Sequence, residues 1–351
     1  MEKSRVKIAL VILVVIVGLL VITELLLRSL VGFGNPLIYI TDPDIGYLLA
    51  PSQRTRRFGN LIAINEYSMR SPTITVTRPK STLRILILGD SVANGAWWTD
   101  QQETISALLE TQLVQEGRRQ EAESSRDEKI FTTMHENQSL RVPASPRPRV
   151  SCQVEVLNAS ANSWGPRNEL AYLKKFGTFE AQVVVLLINT DDLFAAAPNS
   201  APVGRDRNYP DRKPSLALAE VFTRYLLPKG DSRVTPTAPE KDPVGSNLKA
   251  IEQIQTYSNS NAAEFVLLMT PLLREISQPG SRDYELQARA RLNKFTKDQQ
   301  ITYLDFLPVF KESETPEAFF RDHIHLSSQG NQKITEAIKS LSIVRSQMRE
   351  F

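Results

Sequence analysis

The chain has 351 residues, 41% of them hydrophobic, and 42 basic against 39 acidic side chains give it a net charge of +3. This length and apolar content suffice for one sizeable core or two small ones and exclude a chain that is disordered throughout. Charges of both signs are intermixed, so no basic face suggests nucleic acid, and the single cysteine, Cys152, excludes an internal disulfide and a cysteine-built zinc site.

Residues 8–27, IALVILVVIVGLLVITELLL, are apolar except for Thr23 and Glu24. About 20 such residues in a helix cross a hydrocarbon core. Lys3, Arg5 and Lys7 precede the run and only Arg28 closely follows it. That bias keeps the N-terminus in the cytoplasm and places the rest of the chain outside. A cleaved signal peptide is the rival reading, but the apolar stretch exceeds a usual signal core and RSLVGFGNP offers no clear small-x-small site. The expectation is a single-pass anchor over residues 1–33, with Glu24 near the outer interface, where a carboxylate costs less than at mid-bilayer. Residues 34–82, rich in proline, glycine and charge, read as a linker or extended lead-in.

From residue 83 the pattern changes. LRILILG (83–89), VEVLNAS (154–160), VVVLLIN (183–189), FVLLMTP (265–271) and ITYLDF (301–306) are near-continuous apolar runs, as in strands buried on both faces. Between them lie helical patterns: ETISALLETQLVQEG, RNELAYLKKFG with Gly177 as a C-cap, SNLKAIEQIQTY, DYELQARARLNKF and a closing NQKITEAIKSLSIVRSQM. Strand alternating with helix predicts an α/β fold, a three-layer α/β/α sandwich on a mostly parallel five-stranded sheet. It would occupy residues 83–351, with insertions at about 118–150, charged and proline-bearing, and 195–244, where SLALAEVFTRYLLPK has helical spacing. That last helix reads either as docked on the domain surface or as a lid or membrane-facing flap.

In such sheets ligands bind beyond the carboxyl ends of the strands, where Gly89-Asp90-Ser91 sits. A serine hydroxyl is a poor nucleophile until a base removes its proton, and the base needs a third group to hold its tautomer. Of three histidines, His135 falls in the polar insertion, whereas His323 and His325 lie in RDHIHLSSQGNQ, between the last strand and the last helix. His323 reads as an exposed neighbour, because the adjacent Asp322 is badly placed to orient it.

Gly89-Asp90-Ser91 followed by Asp322-x-x-His325-Leu326 resembles the SGNH superfamily, the GDSL-type esterases and acyl hydrolases. VLNASANSWGP is similar to the second conserved block of that family, and VVVLLINTDDLF stands where the third would be. The resemblance covers roughly residues 83–338 and implies Ser91 as nucleophile, His325 as general base and acid, and Asp322 as the orienting carboxylate. It also implies an oxyanion hole made by the backbone N–H of Ser91, a second-block glycine N–H and a third-block asparagine side chain. Here the chain departs from the family. Ser163, or Asn162 if the register slips by one, takes the glycine position, and Asn189-Thr190-Asp191-Asp192 replaces Gly-x-Asn-Asp.

A carboxylate at Asp191 accepts hydrogen bonds and donates none. Three accounts stay open: Asn189, two residues back along an extended strand, supplies the amide; burial keeps Asp191 protonated; or hydrolytic power is lost. Trp97 and Trp98, and likewise Trp164, read equally as pocket walls or core. Arg70, in INEYSMRSP, is expected to bind backbone carbonyls. No cofactor or metal is implied, since the histidines lack metal-ligand spacing and GDSVANG lacks a phosphate-loop lysine. The reading is a membrane-anchored serine esterase whose partner is an extracytoplasmic carbohydrate or lipid ester. The alternatives are an O-acyltransferase to a polysaccharide with the same triad, and a non-catalytic binding protein on a degenerate fold.

Overall fold

In the computed structural model, which describes residues 2–135, 153–227 and 240–349, the chain divides into two units. One comprises Met1–Pro72, Gly95–Gln101 and Ala196–Lys241; the other comprises Thr73–Asn94, Gln102–Ala195 and Asp242–Phe351.

The first unit begins with helix Glu2–Leu26, none of whose residues is buried. It runs into a wider π-helical turn, Leu27–Val31, that stops at Gly32. Together these residues are long and apolar enough to cross a membrane. Residues 34–82, expected as a linker or extended lead-in, contain two hairpins. β1 (Tyr39–Asp42) pairs antiparallel with β2 (Gly46–Leu49), and β3 (Gln53–Arg57) with β4 (Asn60–Ile64). The second hairpin turns through Phe58 and Gly59, both at positive φ (47° and 86°), as a tight two-residue connection requires. Tyr39, Ile45, Leu49, Ile62 and Ile64 are buried. Strands of four or five residues, set among prolines and arginines, are too short for their alternation to stand out in sequence.

Arg70 has the expected role. Its guanidinium is buried and donates to the carbonyls of Ala96 at 2.6 Å and Thr99 at 2.5 Å, fastening residues 95–101. Burial lowers its pKa to about 9. Trp97 lies in that fastened stretch, with its ring 4.9 Å from Phe58 and 5.5 Å from Trp98. From the second insertion the unit takes helix Ala217–Val221, continued by a wider turn, Phe222–Leu226; residues 228–239 lie outside the described residues.

The second unit is built on the five apolar runs. β5 (Thr82–Gly89), β6 (Gln153–Ser160), β7 (Val183–Asn189), β8 (Glu264–Thr270) and β9 (Thr302–Asp305) form one sheet in the order β6-β5-β7-β8-β9. Every pairing is parallel. Strand residues alternate between faces. Leu83, Ile85, Ile87, Val183 and Val185 join a core with Ile105, Leu109 and Leu113 of helix Ile105–His135 and with Ile334 and Ile338 of helix Ser328–Ser340. Leu86, Leu88, Val184 and Leu186, equally buried, point the other way. Helices Pro166–Phe176, Pro243–Ser260 and Asp283–Asp298 supply the remaining layer. Gly177 caps the first of these at φ +80°, its N–H donating to the carbonyl of Leu173.

Two helical readings need adjustment. Helix Ile105–His135 continues through residues 118–135, the first part of the expected insertion, while 136–150 lie outside the described residues. The closing helix is two, Ser328–Ser340 and Ser342–Arg349, separated at Leu341.

Candidate active site

Strand β5 ends at Gly89, where close packing leaves room only for glycine. A Cβ there would lie 2.7 Å from the carbonyl oxygen of Leu187 and 2.8 Å from the Cβ of Ala93. That approach lets the chain turn at once into the short helix Ser91–Asn94, so Ser91 stands at the carboxyl edge of the sheet. Asp90 shapes the turn by accepting from the N–H of Val92 at 2.8 Å. Below it, Asn94 donates to the carbonyl of Ser160 at 2.9 Å and Asn158 to that of Ala93 at 2.8 Å, tying the turn to the end of β6.

The histidine arrives from the other end of the chain. Phe320 and Leu326, both buried, bridge antiparallel around residues 321–325. Ser327 then caps helix Ser328–Ser340 by accepting from the N–H of Gly330. Inside this loop Asp322 Oδ1 accepts from the backbone N–H of Ile324 at 3.0 Å and of His325 at 2.9 Å. The aspartate thus fixes the backbone that carries the imidazole as well as the ring itself, since Nδ1 of His325 is 2.8 Å from Asp322 Oδ2.

Across 234 positions of sequence, Nε2 of His325 lies 2.9 Å from Oγ of Ser91. With its proton on Nδ1, donated to Asp322, the ring offers Nε2 as the acceptor for the serine hydroxyl. Burial pushes the Asp322 carboxyl up, but the hydrogen bonds from the backbone and ring of His325 and from Ile324 outweigh it and hold the group below the ordinary range. The His323 side chain is 84% exposed, with Nδ1 3.8 Å from Asp322 Oδ1.

The candidate oxyanion donors fare differently. Ser163 is at φ +57°, the left-handed conformation that glycine favours. Asn189 is the last residue of β7, and the next five residues form a 3₁₀ turn, so Asn189 and Asp191 do not share a strand face. The Asn189 amide is also committed. Nδ2 donates to Asp90 Oδ2 and to Asp192 Oδ2, both at 2.9 Å, while Oδ1 accepts from the N–H of Asp191. Both amide hydrogens meet carboxyl groups, which leaves none for an oxyanion. Asp191 lies on the exposed side of the turn; burial raises its carboxyl, against the nearby Arg274 guanidinium, which lowers it.

Three buried carboxyl groups behind Ser91 were not apparent from the sequence. Burial pushes Asp90 up to about 6, and drives Asp192 and Glu169 well above the ordinary range, each further raised by the charge of Asp90. Neither carboxyl oxygen of Glu169 has a hydrogen-bond partner among the described residues. The third tryptophan, Trp164, is core: it is 1% exposed and packs on Tyr172 at 5.6 Å.

Residues 87–333 match the GDSL-like lipase/acylhydrolase family. The chain belongs to that family. It is therefore a hydrolase of the serine-dependent ester-cleaving class. Solved structures of similar fold include an acetylxylan esterase from Geobacillus stearothermophilus, 14% identical, with 78% of this chain and 100% of that one covered at a TM-score of 0.42. A putative acylhydrolase from Bacteroides fragilis is 10% identical over 78% of this chain and 91% of its own, at 0.40. TesA is 14% identical over 73% and 95%, at 0.41. No curated protein matches the chain in sequence.

Proposed function

We propose that this GDSL-family chain is a membrane-anchored esterase that removes acyl groups from an extracytoplasmic carbohydrate or lipid ester through Ser91, His325 and Asp322. The observation that carries the reading is the unbroken path from the Ser91 hydroxyl through His325 to Asp322, at 2.9 and 2.8 Å. His325 takes the serine proton as Oγ attacks the ester carbonyl and returns it to the leaving alcohol; water then repeats the cycle on the acyl-enzyme. A binding protein on a decayed fold has no use for that alignment.

With the Asn189 amide occupied, the backbone N–H groups of Ser91 and Ser163 carry the oxyanion in this reading. One side-chain donor fewer costs on the order of 100- to 1,000-fold in turnover, which leaves a working but slow enzyme. Retention of the N-terminal helix is supported by its own contacts. Glu24 accepts from the backbone N–H of Ala217 and Leu218 at 2.8 and 2.9 Å, and Arg28 donates to the carbonyl of Ser215 at 2.7 Å. A cleaved leader would make none of these. The excess of Lys3, Arg5 and Lys7 orients the helix with its N-terminus inside.

The test is turnover of a short p-nitrophenyl ester by the full chain in detergent. Activity is expected in the wild type and none above background in Ser91→Ala. Equal turnover by the two would refute the assignment. Adding a sugar acceptor separates hydrolysis, which releases free acid, from acyl transfer, which builds an acylated sugar.

A further inference from the structure

The segment 216–227 presents an apolar face that the esterase reading does not use. Phe222, Tyr225 and Leu226 are 51%, 61% and 69% exposed, and Leu216 and Leu227 are also exposed. Their spacing puts Phe222, Tyr225 and Leu226 on one side of the helical segment. The opposite side is fixed. Glu220 is buried, accepts from the N–H of Gly34 at 2.6 Å and pairs with Arg57 at 2.5 Å.

This face adjoins the foot of the apolar N-terminal helix. Leu30, just past that helix, is 70% exposed. An aromatic chain continues from there, with Tyr225 packed edge-on against Phe33 at 6.1 Å, Phe33 against Phe58 at 5.8 Å and Phe58 against Trp97 at 4.9 Å. Phe58 and Trp97 are themselves partly exposed. An apolar surface this continuous, rimmed by aromatic rings, marks a contact with another phase or partner.

The depth of the surface follows from the hydrogen bonds of Glu24. Its carboxylate holds the first N–H groups of helix Ala217–Val221 and also pairs with Arg28 at 2.6 Å. Residues 217 and 218 therefore lie level with the last turns of the apolar helix. At about 1.5 Å per residue, the ten residues 217–226 reach no further than about 15 Å from that point. From the geometry we infer that segment 216–227, with Leu30, Phe58 and Trp97, is a second membrane contact, lying in the interface of the bilayer that the N-terminal helix crosses.

The contact rests on the anchoring reading for its occupant. Continuity with the anchor selects lipid over a protein partner, because the same rigid group of side chains joins the two apolar surfaces. The contact also accounts for Glu24. A carboxylate at the end of a spanning helix is neutralised by Arg28 and by the N–H groups of the segment that lies beside it in the interface.

The experiment uses the full chain with Cys152→Ser, reconstituted in phosphatidylcholine vesicles, and single cysteines labelled with bimane at Leu226, Phe222, Val14 and the exposed Lys213. Quenching by brominated acyl chains is compared with quenching by aqueous iodide. Labels at 226 and 222 are expected to be quenched several-fold more strongly by the brominated lipid than the label at 213, and to be shielded from iodide. If 226 and 222 behave like 213 while 14 is quenched by lipid, the anchor stands and the second contact is overturned. If 14 is also open to iodide and shielded from lipid, both readings fall. Lipid quenching at 226 without it at 14 overturns the anchor alone and upholds the surface contact. Because the vesicles hold no other protein, a face built for a protein partner gives the iodide-accessible result.

Discussion

Replacing Asp322 with asparagine tests the part of the site that geometry constrains most tightly. Oδ1 of Asp322 accepts two backbone N–H bonds, at 3.0 and 2.9 Å. Only a carbonyl oxygen can replace it there, so Asp322→Asn keeps its oxygen on the backbone and turns its NH₂ toward Nδ1 of His325, the position now held by Oδ2 at 2.8 Å. Oδ1 also lies 3.0 Å from Nδ1, but its two lone pairs are engaged by the backbone N–H groups, so a donor facing Nδ1 shifts the ring proton to Nε2, which then points at Ser91 and cannot accept from it. The side chain of Asp322 is 39% exposed, so water screens much of its charge, and the tautomer accounts for most of the loss. Wrong-tautomer substitution in a serine triad costs about 10⁴ in kcat, or about 5.4 kcal/mol of barrier. The assay is steady-state ester hydrolysis, in which kcat and kcat/KM should fall together, since the interaction acts in the transition state. Activity within tenfold of wild type, in a variant whose melting temperature is unchanged, would refute the tautomer argument.

The buried carboxyl groups lead to two predictions on stability. Glu169 is held protonated by burial and by the charge of Asp90, so its pKa in the folded chain lies above the ordinary 4.5. For an acid raised in this way, the folded state binds more protons than the unfolded one, and stability declines as pH rises past the unfolded value toward the folded one. Glu169→Gln removes this dependence, so its melting temperature relative to wild type should climb from pH 5 to pH 8; a difference that stays constant across that range contradicts the assignment. Asn189→Ala takes away the amide that two buried carboxyl groups share, together with the oxygen that accepts from the N–H of Asp191. Chemical denaturation should show a loss of at least about 2 kcal/mol. A loss under 0.5 kcal/mol, by the same principle, would mean the amide is not what satisfies them.

How far the sequence foretold the molecule depended on the length of the signal. Four strands of the sheet, β5 to β8, are runs of seven or eight largely buried residues, and their continuous hydrophobicity survives in the sequence as written, whereas the four-residue β9 is only partly buried. The hairpins of residues 39–64 were hidden because each strand is short and its buried residues, such as Thr55 and Arg57, are not all apolar. Ser91, Asp322 and His325 stood out as candidates because chemistry restricts residue type and the α/β topology restricts position, and the three side chains do converge. The fate of Asn189 was not legible, because it turns on whether β7 ends there. A strand extended by two residues would have brought Asn189 and Asp191 to one face, whereas the observed 3₁₀ turn converts the asparagine into a local cap. Asp90, Glu169 and Asp192 lie 79 and 23 positions apart along the chain. Asp90 and Asp192 converge because β5 and β7 are neighbours whose ends are in register, Gly89 beside Leu187, and Glu169 is supplied by helix Pro166–Phe176. No local pattern records that kind of proximity, and the same holds for Glu24 and residue 217.

Covalent labelling of the full chain by a fluorophosphonate, read by peptide mass, measures the activation of Ser91 without presuming a substrate. A single adduct on the peptide that carries Ser91 is expected, and it should be lost in a folded His325→Ala variant, because the hydroxyl is reactive only while Nε2 stands ready to take its proton. An unlabelled wild-type chain, or one labelled at the same rate with and without His325, would contradict the account.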